Sequence, residues 1–285
     1  MKQLNRIGIG GEYPLSAAII AAHSNESNRG RNMAIAFASQ GLGNLFAPLI
    51  ILLLLVTGVP LDYTWRVGFV FPLLPLLVTL PFRVVMAKEE QERIIQSHSK
   101  LSLLTATLPD RAATFKRHLP QLFGTCMTWL LFDISFYGNA LFSGVFINLL
   151  GLGGHGTAFQ QTTNITKAML LIAAMGLPGY IASIFLAERV GRKRLQLIGF
   201  VALAILFFVM GIIQTQLVKI PALFIFIYGL TFFFSNCGPN TTTYVLSAEL
   251  FPPEIRATCN GISAARSAFH FQSFFKKISS NYFFS

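Results

Sequence analysis

The chain has 285 residues, of which 53% are hydrophobic and only 12% charged, with a formal net charge of +11 and a mean hydropathy of +0.60. Soluble domains carry about 25% charged residues, so this composition excludes an ordinary water-soluble globule. The basic excess would point to nucleic acid in a soluble protein; here Lys and Arg cluster between apolar runs, which points to membrane topology and anionic headgroups.

Seven apolar runs of spanning length follow one another, at 8–23, 33–57, 65–86, 120–150, 167–187, 195–216 and 221–246. Lipid offers no partner to backbone groups, so each is predicted to be a helix. The first, in "RIGIGGEYPLSAAIIAAHS", carries Glu12 beside Tyr13 and Pro14. It resembles a signal peptide in its basic start, but an acid and a Tyr-Pro break inside the apolar part argue against one. The second run holds a lone amide, Gln40, in "FASQGLG". After the third comes "AKEEQERIIQSHSK", the start of a polar linker over 87–119 that reads first as a solvated connector, with regulation at Ser97, Ser99 and Ser102 beside basic residues as the alternative.

The fourth run contains "TWLLFDISFYG", where Trp129, Asp133 and Tyr137 recur at i, i+4 and i+8. That spacing stacks an indole, a carboxyl and a phenol on one helix face. Aromatic stripes usually serve packing, yet packing gives no reason to bury the acid between them. An intramembrane carboxylate is expensive, so Glu12 and Asp133 are candidate functional groups by default. The fifth and sixth runs are joined by the tight basic turn "AERVGRKRLQLIGF". The seventh contains "FFFSNCGPNTTTY", with Asn236, Asn240 and three threonines around a Gly-Pro break. Polar groups at such a break line a cavity in some carriers and join helices in other membrane proteins.

Connecting loops alternate in charge. Arg29 and Arg31, the basic residues from Arg83 to Arg117, and Arg189 to Arg194 fall on one side, and only Arg66, Lys167 and Lys219 on the other. The positive-inside rule makes the first set cytoplasmic. Lys2 and Arg6 balance Arg29 and Arg31 across the first run, which therefore has no orientation of its own. The "NIT" at Asn164 matches a glycosylation acceptor but lies close to a span. Cys126, Cys237 and Cys259 have no metal-ligand spacing and read as small core hydrophobes. No nucleophile–base pair, metal cluster or phosphate loop is evident, so neither an enzyme, nor a cofactor, nor a nucleic-acid partner is expected.

The basic turn from Ala187 is similar to the cytoplasmic loop of the major facilitator superfamily, with Glu188 where Asp is more usual. "GIGGEYPLSA", "TWLLFDISFY" and "FFFSNCGPNTTTYVLSAELFP" resemble the phosphate:proton symporters of that superfamily, over a stretch from Ile7 to about Ala265. The resemblance implies an all-α membrane protein built as a major facilitator-type bundle, with about seven of twelve spans present. Residues 1–86 then resemble spans four to six, 87–119 the central cytoplasmic linker, and 120–285 spans seven to ten plus a divergent tail. It implies inorganic phosphate ligands at Tyr13, Gln40, Trp129, Asp133, Tyr137 and Asn240, and proton coupling through Asp133 and Glu12. Gating is implied at Glu188, Arg189, Gly191 and Arg192. Ser247, Glu254 and Asn260 depart from the proline, arginine and histidine of the family pattern, which bears on gating at the last cytoplasmic turn more than on substrate choice. The expected setting is a multi-pass carrier of phosphate and protons in the lipid bilayer of the plasma membrane. The alternatives are a carrier of a sugar or organic cation, or a truncated product without transport activity.

Overall fold

In the computed structural model, residues 28–85 and 111–265 are described, together with Ser16, Ala17, Ile19, Ile20, Ser24, Asn25 and Lys88. Among them every regular element is helical. Six helices are long and apolar enough to cross a membrane: α1 Arg29–Val56, α2 Leu61–Val85, α3 Leu119–Leu149, α4 Ala158–Arg189, α5 Arg192–Ile212 and α6 Pro221–Glu249. They correspond in order to the second to seventh apolar runs. The first run lies mostly outside the described residues, although Ala17 is buried in the core beside Met33 and Trp129. Most of the linker is likewise outside them, and its end forms a short helix at Arg111–Arg117. A further helix covers 253–265.

Local chemistry sets the ends. α4 begins with a capping box in which the Thr157 hydroxyl accepts from the Gln160 N–H and the Gln160 side chain accepts from the Thr157 N–H. This start adds nine residues, 158–166, to the run at 167–187. Their Gln, Thr and Asn side chains resemble a polar loop, but a helix closes its own backbone hydrogen bonds while threonines such as Thr162 and Thr163 donate to carbonyls one turn back. Between α4 and α5 the chain reverses at Gly191, whose φ of 89° suits glycine and strains any other residue.

α1 packs along α4, and α4 along α6. Small residues allow these crossings, as is usual where lipid supplies no hydrophobic force between helices. Gly179 faces the Phe233 backbone carbonyl and Gly229 faces Met175. Gly199 of α5 and Gly238 of α6 oppose one another, so that a Cβ on Gly238 would stand 2.9 Å from the Gly199 Cα. α6 is not a uniform α-helix: residues Asn236–Asn240 form a π turn containing Pro239. Proline lacks the N–H that would continue the ladder, and the wider turn accommodates its ring. The Gly-Pro break read from the sequence is therefore an inserted wide turn.

The charged ends converge on one face. Arg31 at the start of α1 meets Glu188 at the end of α4, and Arg192 at the start of α5 meets Glu249 at the end of α6. The first turns of α3 pack there too, with Leu122 and Cys126 against Phe251, Ile255 and Cys259. This is the face that charge alternation assigns to the cytoplasm.

Candidate functional site

A cavity of about 300 Å³ opens where α1, α3, α4 and α6 meet. Its wall is largely apolar, with Pro48, Phe136, Ile172 and Phe232 among its members, and the polar groups Gln40, Asn44, Tyr137, Ser143, Tyr180 and Asn236 converge on it. Among the described residues no Lys, Arg, Asp or Glu lines it. An apolar cleft with a few placed polar groups is the usual form of a small-molecule site.

The wide turn of α6 places its amides. Asn236 donates through Nδ2 to the Gly176 carbonyl at 3.2 Å, which fixes its Oδ1 as an acceptor for Asn240 Nδ2 at 2.9 Å. Asn240 Nδ2 also donates to the Tyr180 hydroxyl at 2.9 Å, and Tyr180 donates to Gln40 Oε1 at 3.0 Å. A directed hydrogen-bond chain thus runs from α6 through α4 to α1. Of the six expected phosphate ligands, Gln40 and Asn240 are drawn together by this chain, and Gln40 and Tyr137 line the cavity. Trp129 and Asp133 are buried on the same α3 stripe. They stand toward the charged face and outside the cavity wall itself, and Trp129 packs in the cluster of Met33, Phe37, Tyr180 and Tyr244. Tyr13 and Glu12 lie outside the described residues.

Sequence reasoning did not single out Tyr180. A lone tyrosine after Pro178 in an apolar helix reads as packing, and the only available signal was its position amid the glycines Gly176 and Gly179. α3 and α6 are pinned by a second polar set: Tyr228 donates to the Asn139 carbonyl at 2.8 Å, Ser143 lies 2.8 Å from the Tyr228 hydroxyl, and Asn139 Nδ2 donates to Thr231 at 3.1 Å.

The charged face carries the four residues expected to gate. Glu188 Oε1 accepts the Arg31 backbone N–H at 3.2 Å. α1 has no side-chain cap of its own and no acid in its first turn, so Glu188 supplies from α4 the negative charge that a helix N-terminus favours. Arg192 pairs with Glu249, Nε to Oε2 at 3.1 Å and Nη2 to Oε1 at 3.2 Å, and its guanidinium lies against Gly30 of α1, where any Cβ would collide with it. Gly191 provides the reversal that aims Arg192, and Arg189 is exposed in the last turn of α4. Beyond α6, burial first and Arg29 second lower the pKa of the Arg256 guanidinium, which places another cation in the same cluster. Glu249 went unnamed in the sequence reading, because a carboxylate at a span edge is ordinary. Among the described residues no group of His, Cys, Asp and Glu could hold a metal ion.

Residues 4–269 match the model of the Major Facilitator Superfamily. The chain is 34% identical to low affinity inorganic phosphate transporter 4 of Petunia hybrida over 90% of its own length and 58% of that protein's. It is 35% identical to inorganic phosphate transporter 1-11 of Oryza sativa subsp. japonica, over 90% of this chain and 55% of the relative. With low affinity inorganic phosphate transporter 4 of Lotus japonicus it shares 33% identity over 90% of this chain and 58% of the relative. The chain thus spans a little over half the length of the curated relatives it matches.

Proposed function

The chain belongs to the Major Facilitator Superfamily, and from that membership we propose that it moves inorganic phosphate across a membrane together with protons. The observation that carries the reading is the cavity: hydroxyls and amides converge on it, no cation among the described residues lines it, and one buried acid, Asp133, stands on the α3 stripe leading away from it. Phosphate near neutral pH keeps ionisable hydrogen, so it donates to a carboxylate or an amide oxygen as well as accepting from Tyr, Gln and Asn. Sulfate has no hydrogen left to donate and meets Asp133 as a bare like charge, which makes the acid a selectivity device. A site that must release its ligand is better served by neutral groups than by a bidentate arginine clamp. In this reading Tyr13, Gln40, Trp129, Asp133, Tyr137 and Asn240 hold phosphate, Asp133 and Glu12 carry the proton, and Glu188, Arg189, Gly191 and Arg192 close the cytoplasmic side. The carrier belongs at the plasma membrane, where phosphate enters the cell.

Uptake of labelled phosphate into proteoliposomes containing the full-length gene product tests this. Accumulation driven by an inward proton gradient, with weak competition by sulfate, is expected. Strong sulfate inhibition overturns the selectivity mechanism. The buried acid and the uncharged cavity wall also suit an organic cation or a sugar, and competition by such solutes in place of phosphate would establish that second reading.

A further inference from the structure

We infer that the outer end of α4 carries a second anion site, apart from the central cavity, and that its occupant is the phosphodiester of a membrane phospholipid. A pocket of about 440 Å³ lies where the α3–α4 loop meets the first turns of α4, lined among others by His155, Gln160, Thr163, Asn164 and Lys167. Among the described residues no Asp or Glu lines it, so Lys167 leaves it positively charged. Side chains of the helix hold the loop in place: Asn164 Nδ2 donates to the Gly153 carbonyl at 3.2 Å, and Gln161 Nε2 to the Gly156 carbonyl at 3.0 Å. The capping bond engages Gln160 through Oε1, which leaves the two Nε2 hydrogens of that amide to meet a ligand.

The place of the pocket on the helix decides between a lipid and the free ion. Lys167 heads a line of exposed positions that continues through Leu171, Ala174, Pro178, Ile181 and Phe185. Steps of three and four residues keep them on one face of the helix. Leu171, Ile181 and Phe185 are 51%, 50% and 57% exposed. That face turns away from the central cavity: Gly176, which lines the cavity, lies about 180° round the helix from Lys167. From Lys167 to Phe185 the stripe rises about 27 Å, close to the roughly 30 Å of bilayer hydrocarbon. It is the lipid-facing side of α4, with the pocket at its headgroup end. Helical side chains lean toward the N-terminus, so the Lys167 ammonium reaches out toward the pocket while its methylene stem stays against hydrocarbon. A phospholipid fits both halves, its phosphate on Lys167 and Gln160 and an acyl chain along Leu171, Ala174 and Pro178. Free phosphate fits the first half alone.

The test uses the full-length gene product in detergent, stripped of bound lipid and titrated with phosphatidylglycerol that carries a photoreactive group in its upper acyl chain. Labelling of α4 between Lys167 and Pro178 is expected, and its absence there overturns the inference. Lys167→Gln removes the charge and keeps a polar side chain; its half-saturating lipid concentration should rise roughly fivefold, the scale of one interfacial lysine. Lys167→Arg should label like the parent. Equal half-saturation in the parent and Lys167→Gln overturns the inference, as does a rise in Lys167→Arg equal to that in Lys167→Gln. Competition on the parent needs no variant and decides the matter if Lys167→Gln does not reach the membrane. Unlabelled phosphatidylglycerol should suppress the α4 label, while diacylglycerol with the same chains and inorganic phosphate should not. Suppression by diacylglycerol would make the stripe a track for tails alone, and suppression by inorganic phosphate would make the pocket a site for the free ion; either overturns the inference. None of these outcomes bears on the central cavity or on the transport reading.

Discussion

Asp133 and Tyr180 show two ways in which a single residue becomes legible. An acid inside an apolar run violates the local rule so plainly that its candidacy needs no structure. A tyrosine there violates nothing, and only the distances reveal that it bridges Gln40 and Asn240. Gln40 and Asn240 lie between these cases: each was visible as a lone amide, but their joining across the molecule was not, because two hundred positions separate them. For Asp133 the expected outcome of Asp133→Asn in the full-length product is loss of proton-driven accumulation, with any surviving exchange insensitive to the pH gradient. Near-normal accumulation with unchanged pH dependence would make the acid structural. The same variant should be inhibited somewhat more by sulfate, since the repelling charge is gone. At the charged face, Glu249→Gln leaves Arg192 beside Gly30 without its counter-ion. The two side chains are 27% and 21% exposed, so partial solvation limits the cost to about 1 kcal/mol, read as a modest fall in the thermal unfolding midpoint in detergent.

Helices were legible as lengths of apolar sequence, and their interruptions were not. The start of α4 was missed because five polar residues in its first two turns looked like a loop, even though Thr157 and Gln160 carry the spacing of a capping box. The wide turn in α6 was also hidden: a Gly-Pro pair announces a break but does not say whether the helix bends, unwinds or takes in an extra residue. The difference is consequential. One residue beyond the α-helical count turns everything after it by about 100° relative to a continuous helix. Inserting an alanine after Cys237 adds one residue more than the wide turn absorbs and should swing Asn240 away from Tyr180, abolishing transport in a protein that still inserts. Retained transport with that insertion would mean the amide chain is dispensable. A separate packing test is Gly199→Ala, which adds a methyl where α5 meets the Gly238-Pro239 backbone. Overpacking of this kind costs about 1–3 kcal/mol, and the unfolding midpoint should fall without a change in sulfate selectivity.

The molecule as a whole has one charged face and one sparse face, and this polarity was readable from loop charge alone, before any packing was known. The structure adds the reason the charged ends keep company: Glu188 completes the N-terminus of α1, and Arg192 ties α5 to α6 while lying against α1. With the three native cysteines replaced, a cysteine at Ala113 should resist impermeant maleimide applied from outside and one at His155 should react. The reverse pattern would invert the topology. α2 stands apart from this framework. Its most apolar window has no buried residue, and among its named positions only Thr64, near its start, is buried. Twenty-five residues of helix measure about 37 Å, against roughly 30 Å of bilayer hydrocarbon. With few side chains holding it, the surplus is absorbed by tilt. The inclination of α2 should then follow acyl-chain length, becoming more upright in thick, sterol-rich bilayers and more slanted in thin ones, so that this helix acts as a gauge of membrane thickness while the packed core beside it keeps its shape.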